Sequence, residues 1–119
     1  MKTFRELRVW QKAHGLVLEI YRITEKFPDK ERFGLISQMR RSAVSVPVNI
    51  AEGFKRRSDK EFRQFINIAP SSLEETKYYL ILSAELKYIN RIDRQKLLVL
   101  SDEVGKMLYS FYKKLNSES

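Results

Sequence analysis

The chain has 119 residues, with 23 Lys+Arg against 15 Asp+Glu, a formal net charge of +8 and no cysteine. This length suits one domain, 1–119, with its own hydrophobic core, and the absence of thiols excludes disulfides, thiolate metal sites and cysteine nucleophiles. No apolar run approaches the roughly 20 residues of a membrane span, and the opening "MKTFRELRVW" lacks the apolar centre of a secretory signal, so a cytoplasmic protein without membrane contact is expected.

The charge is uneven. Residues 1–27 carry +3, 28–57 carry +4, 58–88 carry −1 and 89–119 carry +2. Such a balance fits nucleic acid or another polyanion as partner, and equally fits ordinary solubility charge.

Apolar residues recur at helical spacing throughout. Helix one is predicted over 7–26, with the stripe Trp10, Ala13, Leu16, Val17, Ile20 and Thr24; "TFRE" is a capping-box pattern that would start it earlier. "KFPDKE" reads as a turn, with Pro28 ending one helix and helping to start the next. Helix two is predicted over 32–56, with Ile36, Met39, Ala43, Val46, Ile50 and Phe54 facing the core. Helix three, over 58–88, opens on the capping box "SDKE", Ser58 to Glu61. Its stripe is Phe62, Phe65, Ile66, Ala69, Leu73, Thr76, Leu80 and Ala84. Helix four, over 93–115, carries Leu97, Leu100, Val104, Leu108, Phe111 and Leu115. Short connections make neighbours antiparallel, so the expected fold is an all-α, up-down-up-down four-helix bundle.

Most catalytic constellations are excluded. The one histidine, His14, has Gln11 three residues before it, so the Glu-x-x-His of a di-iron bundle is absent. Glu74–Glu75 and Asp102–Glu103 are adjacent pairs, and neighbours on a helix diverge by about 100°. There is no phosphate-binding loop and no nucleophile elbow. No catalytic residue, metal or cofactor is expected.

The stretch "SVPVNIAEGFKRRS", Ser45 to Ser58, is the most unusual. Gln38, Arg41, Ser42, Ser45, Asn49, Glu52 and Arg56 form a polar stripe at spacings of three and four. Arg40, Val44, Val48, Ala51 and Lys55 form another strip, apolar in its middle, which makes Val44 and Val48 candidates for a helix or subunit interface. Pro47 cannot donate to the carbonyl of Ala43, so a kink is expected, with Ser45 or Asn49 serving the disturbed backbone. Glu52 lies one turn before Arg56 and within reach of Arg41 or Arg63. Gln38, Arg41, Asn49 and Glu52 therefore read first as a polar network that fixes helix register, and second as a small-molecule or nucleotide contact in a cleft opened by the kink. Arg40, Arg41, Lys55, Arg56 and Arg57 are the candidate nucleic-acid contacts, although cations at a helix C-terminus also complement its dipole.

"LRVWQKA", "YRITEKFP", "FGLISQMRRSAVSVPVNIAEGFKRRS", "EFRQFINIA" and "SSLEE" follow one another in order. The chain thereby resembles the 23S rRNA intervening-sequence protein family, the S23-type four-helix bundle proteins, over essentially its whole length. The resemblance implies an antiparallel four-helix bundle assembled into a homopentameric ring and no established enzymatic activity. It also implies genes placed within insertions of 23S rRNA genes or elsewhere, and nucleic-acid binding in distant relatives that accompany reverse transcriptases. One departure stands out. The family reads Ile-Ala-x-Gly-Ser-Leu where this chain has "IAPSSL", so Pro70 should kink helix three or break it with a restart near Ser71, and Ser71 replaces a glycine suited to close helix approach.

Three functions remain open. The first is a non-enzymatic, basic, oligomeric protein that binds RNA or DNA through phosphates with little sequence preference. The second is a scaffold that docks another protein, and the third a nucleotide binder or enzyme at the Asn49–Glu52 cleft.

Overall fold

Leu7 closes a short 3-10 turn, Phe4–Glu6, and leads into the first helix of the computed structural model, which describes residues 2–115. The elements are α1 (Arg8–Thr24), α2 (Leu35–Phe54), α3 (Asp59–Ile66), α4 (Ala69–Glu85) and α5 (Arg91–Lys114), with a second 3-10 turn at Asp29–Glu31 between α1 and α2. No strand occurs among the described residues. The helices stand around a square: α1 packs on α2 and α5, and α4 packs on α2 and α5. α3 and α4 together form the third arm of an antiparallel four-helix bundle, about 47 Å long and 24 × 21 Å across.

The interruption of that arm follows from Pro70. With no N–H on Pro70, the carbonyl of Ile66 loses its helical donor. The last α-type bond before it runs from Asn67 N to Arg63 O at 2.9 Å, and Ile68 N then turns to Phe65 O at 3.1 Å. The helix restarts at Ala69 rather than near Ser71, because proline is well tolerated in a first helical turn. Asn67 and Ile68 both keep right-handed helical backbone, so the arm bends without turning away. Ser71 is exposed, so no helix has to approach closely there.

Pro47 behaves differently. It is buried inside α2, which runs through it from Leu35 to Phe54. Two residues later, Asn49 Nδ2 donates to Ser45 O at 2.8 Å and to Ser45 Oγ at 3.1 Å, a second tie across the turn that the proline weakens. The other boundaries are set by local caps. Ser58 Oγ accepts from Glu61 N at 3.2 Å, and Asn90 Oδ1 accepts from Asp93 N at 2.7 Å. α2 starts three residues later than its periodicity suggests, because residues 32–34 continue the turn begun by the Asp29–Glu31 3-10 segment. Thr3 likewise caps only the 3-10 turn, not α1.

One contiguous core joins all the helices. Ala13, Leu16, Ile20, Met39, Ala43, Val46, Ile50, Leu80, Leu97 and Val104 are fully enclosed. Each large member contributes about 1.5–3 kcal/mol by leaving water. Trp10, Ile36, Phe54, Leu100 and Phe111 lie at its margin, half-buried. The enclosed hydroxyls of Thr24, Ser83 and Ser101 donate to Ile20 O, Tyr79 O and Leu97 O one turn back at 2.7–2.8 Å. Among the described residues no buried polar side-chain atom lacks a partner.

Candidate nucleic-acid interface

The polar stripe of α2 divides into two parts. Its inner part is a seam of small hydroxyls against α4. Ser42 Oγ meets Thr76 Oγ1 at 2.8 Å, Ser45 Oγ meets Ser72 Oγ at 2.8 Å, and Asn49 ties back to Ser45. These bonds suit close packing and favour one register, since slipping the helices would break the Ser42–Thr76 and Ser45–Ser72 pairs. The outer part, Gln38, Arg41 and Glu52, is exposed, and these side chains join no hydrogen bond or ion pair among the described residues. Glu52 thus reaches neither Arg56, Arg41 nor Arg63. Arg56 lies over the Phe65 ring, 4.3 Å from its centroid. Arg63 lies over Tyr112 at 4.1 Å and donates to Leu115 O at 3.1 Å. The network expected around Glu52 is made instead by Ser42, Ser45, Asn49, Ser72 and Thr76, because short side chains fit a helix seam that a charged carboxylate would enter only at a desolvation cost.

Gly53 explains the "AEGF" turn. A Cβ there would come within 2.6 Å of Phe62 Cδ1 and 3.0 Å of Phe65 Cβ. The glycine lets α3 fold back tightly on the end of α2, where Phe62 packs edge-on against Phe54 and Phe111.

The candidate cations also separate. Arg40 is half-buried; its Nε donates to Thr24 Oγ1 at 3.0 Å, and its guanidinium covers Tyr21 at 4.3 Å from the ring centroid. It joins α1 to α2 and is poorly placed to meet a phosphate. Arg41, Lys55 and Arg57 are exposed and without ion pairs among the described residues. Arg41 lies about 21 Å up the helix from Lys55 at 1.5 Å per residue, so it shares no site with the other two in one subunit. Val44 is half-buried at the edge of the core, while Val48 is 41% exposed.

Antiparallel packing adds cations that spacing along one helix does not connect. The start of α1, the end of α2 and the end of α5 meet at one end of the bundle. Arg5 and Arg8 therefore stand with Lys55, Arg57, Lys106 and Lys114, all exposed and without ion pairs among the described residues. Elsewhere some seam charges are matched, while exposed Lys26, Lys30, Lys87 and Arg91 at the far end have no ion pair among the described residues. Glu19 binds Arg22 at 3.0 Å and Lys96 at 3.1 Å, and Arg22 also binds Asp93 at 3.2 Å. The hydrogen bond from Arg22, with that from Lys96, holds the Glu19 carboxyl below its usual range. Lys77 bridges Asp102 and Glu74, and those bonds hold its ammonium above the usual lysine range. Two adjoining grooves of about 500 and 450 Å³ run between α1 and α5 at the basic end, with Arg8, Lys106 and Met107 lining both. None of the residues lining the described grooves is Asn49 or Glu52.

The fold and this charge distribution define a basic four-helix-bundle protein. The chain belongs to the 23S rRNA-intervening sequence protein family, whose model matches residues 5–110. It is similar in structure to a crystallised protein of unknown function from the S23 ribosomal protein family of Bacteroides thetaiotaomicron VPI-5482, with a TM-score of 0.80 and 28% identity, covering 89% of this chain and 96% of that one. No curated protein matches the chain. No helix among the described residues is long and apolar enough to cross a membrane.

Proposed function

We propose that the protein is a non-enzymatic, oligomeric nucleic-acid-binding protein that contacts phosphates with the basic end of its bundle. The observation that carries this reading is the gathering of Arg5, Arg8, Lys55, Arg57, Lys106 and Lys114 at one end, none of them ion-paired among the described residues; Lys26, Lys30, Lys87 and Arg91 at the far end are also exposed without ion pairs, so the reading rests on the closer grouping around the α1–α5 grooves. Like charges held together raise each other's energy, and a polyanion relieves that repulsion while releasing its own counterions.

Self-association belongs to the same reading. Val48 on α2 and Leu18 on α1 are apolar side chains left in solvent on neighbouring helices, and the resemblance to ring-forming relatives makes a second copy their natural cover. A ring would repeat the basic end in every subunit and turn a weak site into a multivalent one. The same side chains also support a protein scaffold. Purification from the native host with and without nuclease separates the two. Co-purifying nucleic acid that nuclease removes is the expected result. A stable protein partner with no nucleic acid in either preparation would overturn the proposal in favour of the scaffold.

A further inference from the structure

Phosphate contacts alone favour a duplex, the ligand of higher charge density, but one exposed aromatic side chain stands among the cations of the basic end. Tyr109 on α5 is 64% exposed, and its hydroxyl has no partner among the described residues. Lys113, one turn on, sits over one side of its ring at 5.3 Å from the centroid. Lys106 lies three residues before it, and residues three and four apart on a helix are surface neighbours. The sequence along this face is thus cation, aromatic, cation. The ring also borders two grooves, one of about 630 Å³ between α4 and α5, whose carboxylates Glu74 and Asp102 are both bound by Lys77, and one of about 280 Å³ between the α3–α4 junction and α5. The smaller runs beside Asn67 and Pro70, where the third arm is interrupted. Lys106 lines the larger of these and both grooves on the α1 side, so it forms the ridge between the two sides of α5. Across that ridge Arg8 and Lys114 border the groove floored by Met107 and Phe111.

We propose that this face of α5 takes a single-stranded polynucleotide, with one base stacked on Tyr109 and the flanking phosphates on Lys106 and Lys113 and, across the ridge, on Arg8. This rests on the nucleic-acid reading above and narrows it to a substrate class. A duplex keeps its base faces in its own stack and offers Tyr109 nothing to cover. Its higher charge density should make it the better ligand for phosphate contacts alone. Base–aromatic stacking reverses that order, since one stacked base changes affinity about 5- to 150-fold. Stacking and phosphate contacts ignore the sugar, so RNA and DNA strands of one sequence should bind alike.

The test uses the full chain and a fluorescently labelled mixed-sequence RNA strand, the DNA strand of the same sequence, and each annealed to its complement, all at low salt. Tighter binding of both single strands than of the duplexes is expected. Tyr109→Ala should weaken single-strand binding about tenfold and leave duplex binding unchanged, while Tyr109→Phe, which keeps the ring, should bind as the native protein does. Tyr109 is exposed, so neither change threatens the fold. Duplex binding as tight as single-strand binding, a Tyr109→Ala protein that binds single strands normally, or strict preference for one sugar would overturn this inference while leaving nucleic-acid binding intact. Failure to bind any of the four ligands would overturn both.

Discussion

Gly53→Ala and Gly15→Ala are the same chemical change inside helices, yet the structure gives them opposite signs. Alanine is favoured over glycine in a helix interior by about 1 kcal/mol. At Gly15 an added Cβ meets nothing within 4 Å, so α1 should gain most of that amount. At Gly53 the methyl would stand 2.6 Å from Phe62 Cδ1, 2.9 Å from Phe62 Cε1 and 3.0 Å from Phe65 Cβ. The Phe62 ring is itself wedged between Phe54 and Phe111, and a Cβ moves only with its backbone, so α3 must shift. Overpacking of this kind costs about 1–3 kcal/mol. With two contacts below 3.0 Å the upper part of that range applies, about 2–3 kcal/mol, and after the helical gain a net loss of about 1–2 kcal/mol remains. An unfolding entropy of about 2.1 cal/mol/K per residue makes 1 kcal/mol worth roughly 4 °C in a chain this long. Thermal melts followed by circular dichroism at one fixed protein concentration should therefore show Gly15→Ala about 4 °C above the native protein and Gly53→Ala about 4–8 °C below it. A Gly53→Ala protein that melts at or above the native temperature would refute the close approach of α3 to α2.

Two further outcomes are expected. Glu19 has a lowered folded-state pKa, so its ion pairs add stability at pH above 4.5, and that stability is lost as the pH falls through the folded value. Glu19→Gln should then lower the melting temperature at neutral pH and narrow the gap to the native protein below 4.5; a gap that persists unchanged in acid would contradict the assignment. Val48→Glu places a carboxylate at an exposed apolar position, and light scattering should find a smaller assembly, because burying an unpaired charge between subunits is costly. Unaltered mass would remove Val48 from the interface.

The helical period alone carried most of the fold, since buried stripes such as Met39, Ala43, Val46 and Ile50 recur at three and four residues whatever packs against them. Helix ends were less legible. The start of α2 depends on a 3-10 turn that looks locally like helix, and the restart at Ala69 depends on proline being acceptable just inside a helix. The site was only partly legible, for a geometric reason. Lys55 and Arg57 stand out as a run, but Arg8 and Lys106 are nearly one hundred positions apart, and only antiparallel packing places them on one groove. An available clue was that both helix ends destined for one end of an up-down bundle carry lysine and arginine. Arg40 shows the converse: a cation beside another in the sequence can be spent on packing, as its contacts with Thr24 and Tyr21 show. Glu52 drew attention as a charge in an apolar run, whereas the contact with α4 is made by Ser42 and Ser45, two to three turns earlier.

The salt dependence of RNA binding tests the basic end most directly. Fluorescence anisotropy with a labelled RNA strand would be measured at several salt concentrations for the native protein, for Lys55→Ala/Arg57→Ala, and for Lys26→Ala/Lys30→Ala, which removes two exposed cations from the far end of the bundle. The native protein should bind at low salt, with log K falling linearly in log salt. The Lys55/Arg57 pair should bind more weakly and flatten the slope by about one unit for each phosphate left unneutralised per bound subunit. The Lys26/Lys30 pair should follow the native line. A native protein that fails to bind at low salt, or two double variants that weaken binding equally, would contradict a phosphate-binding basic end.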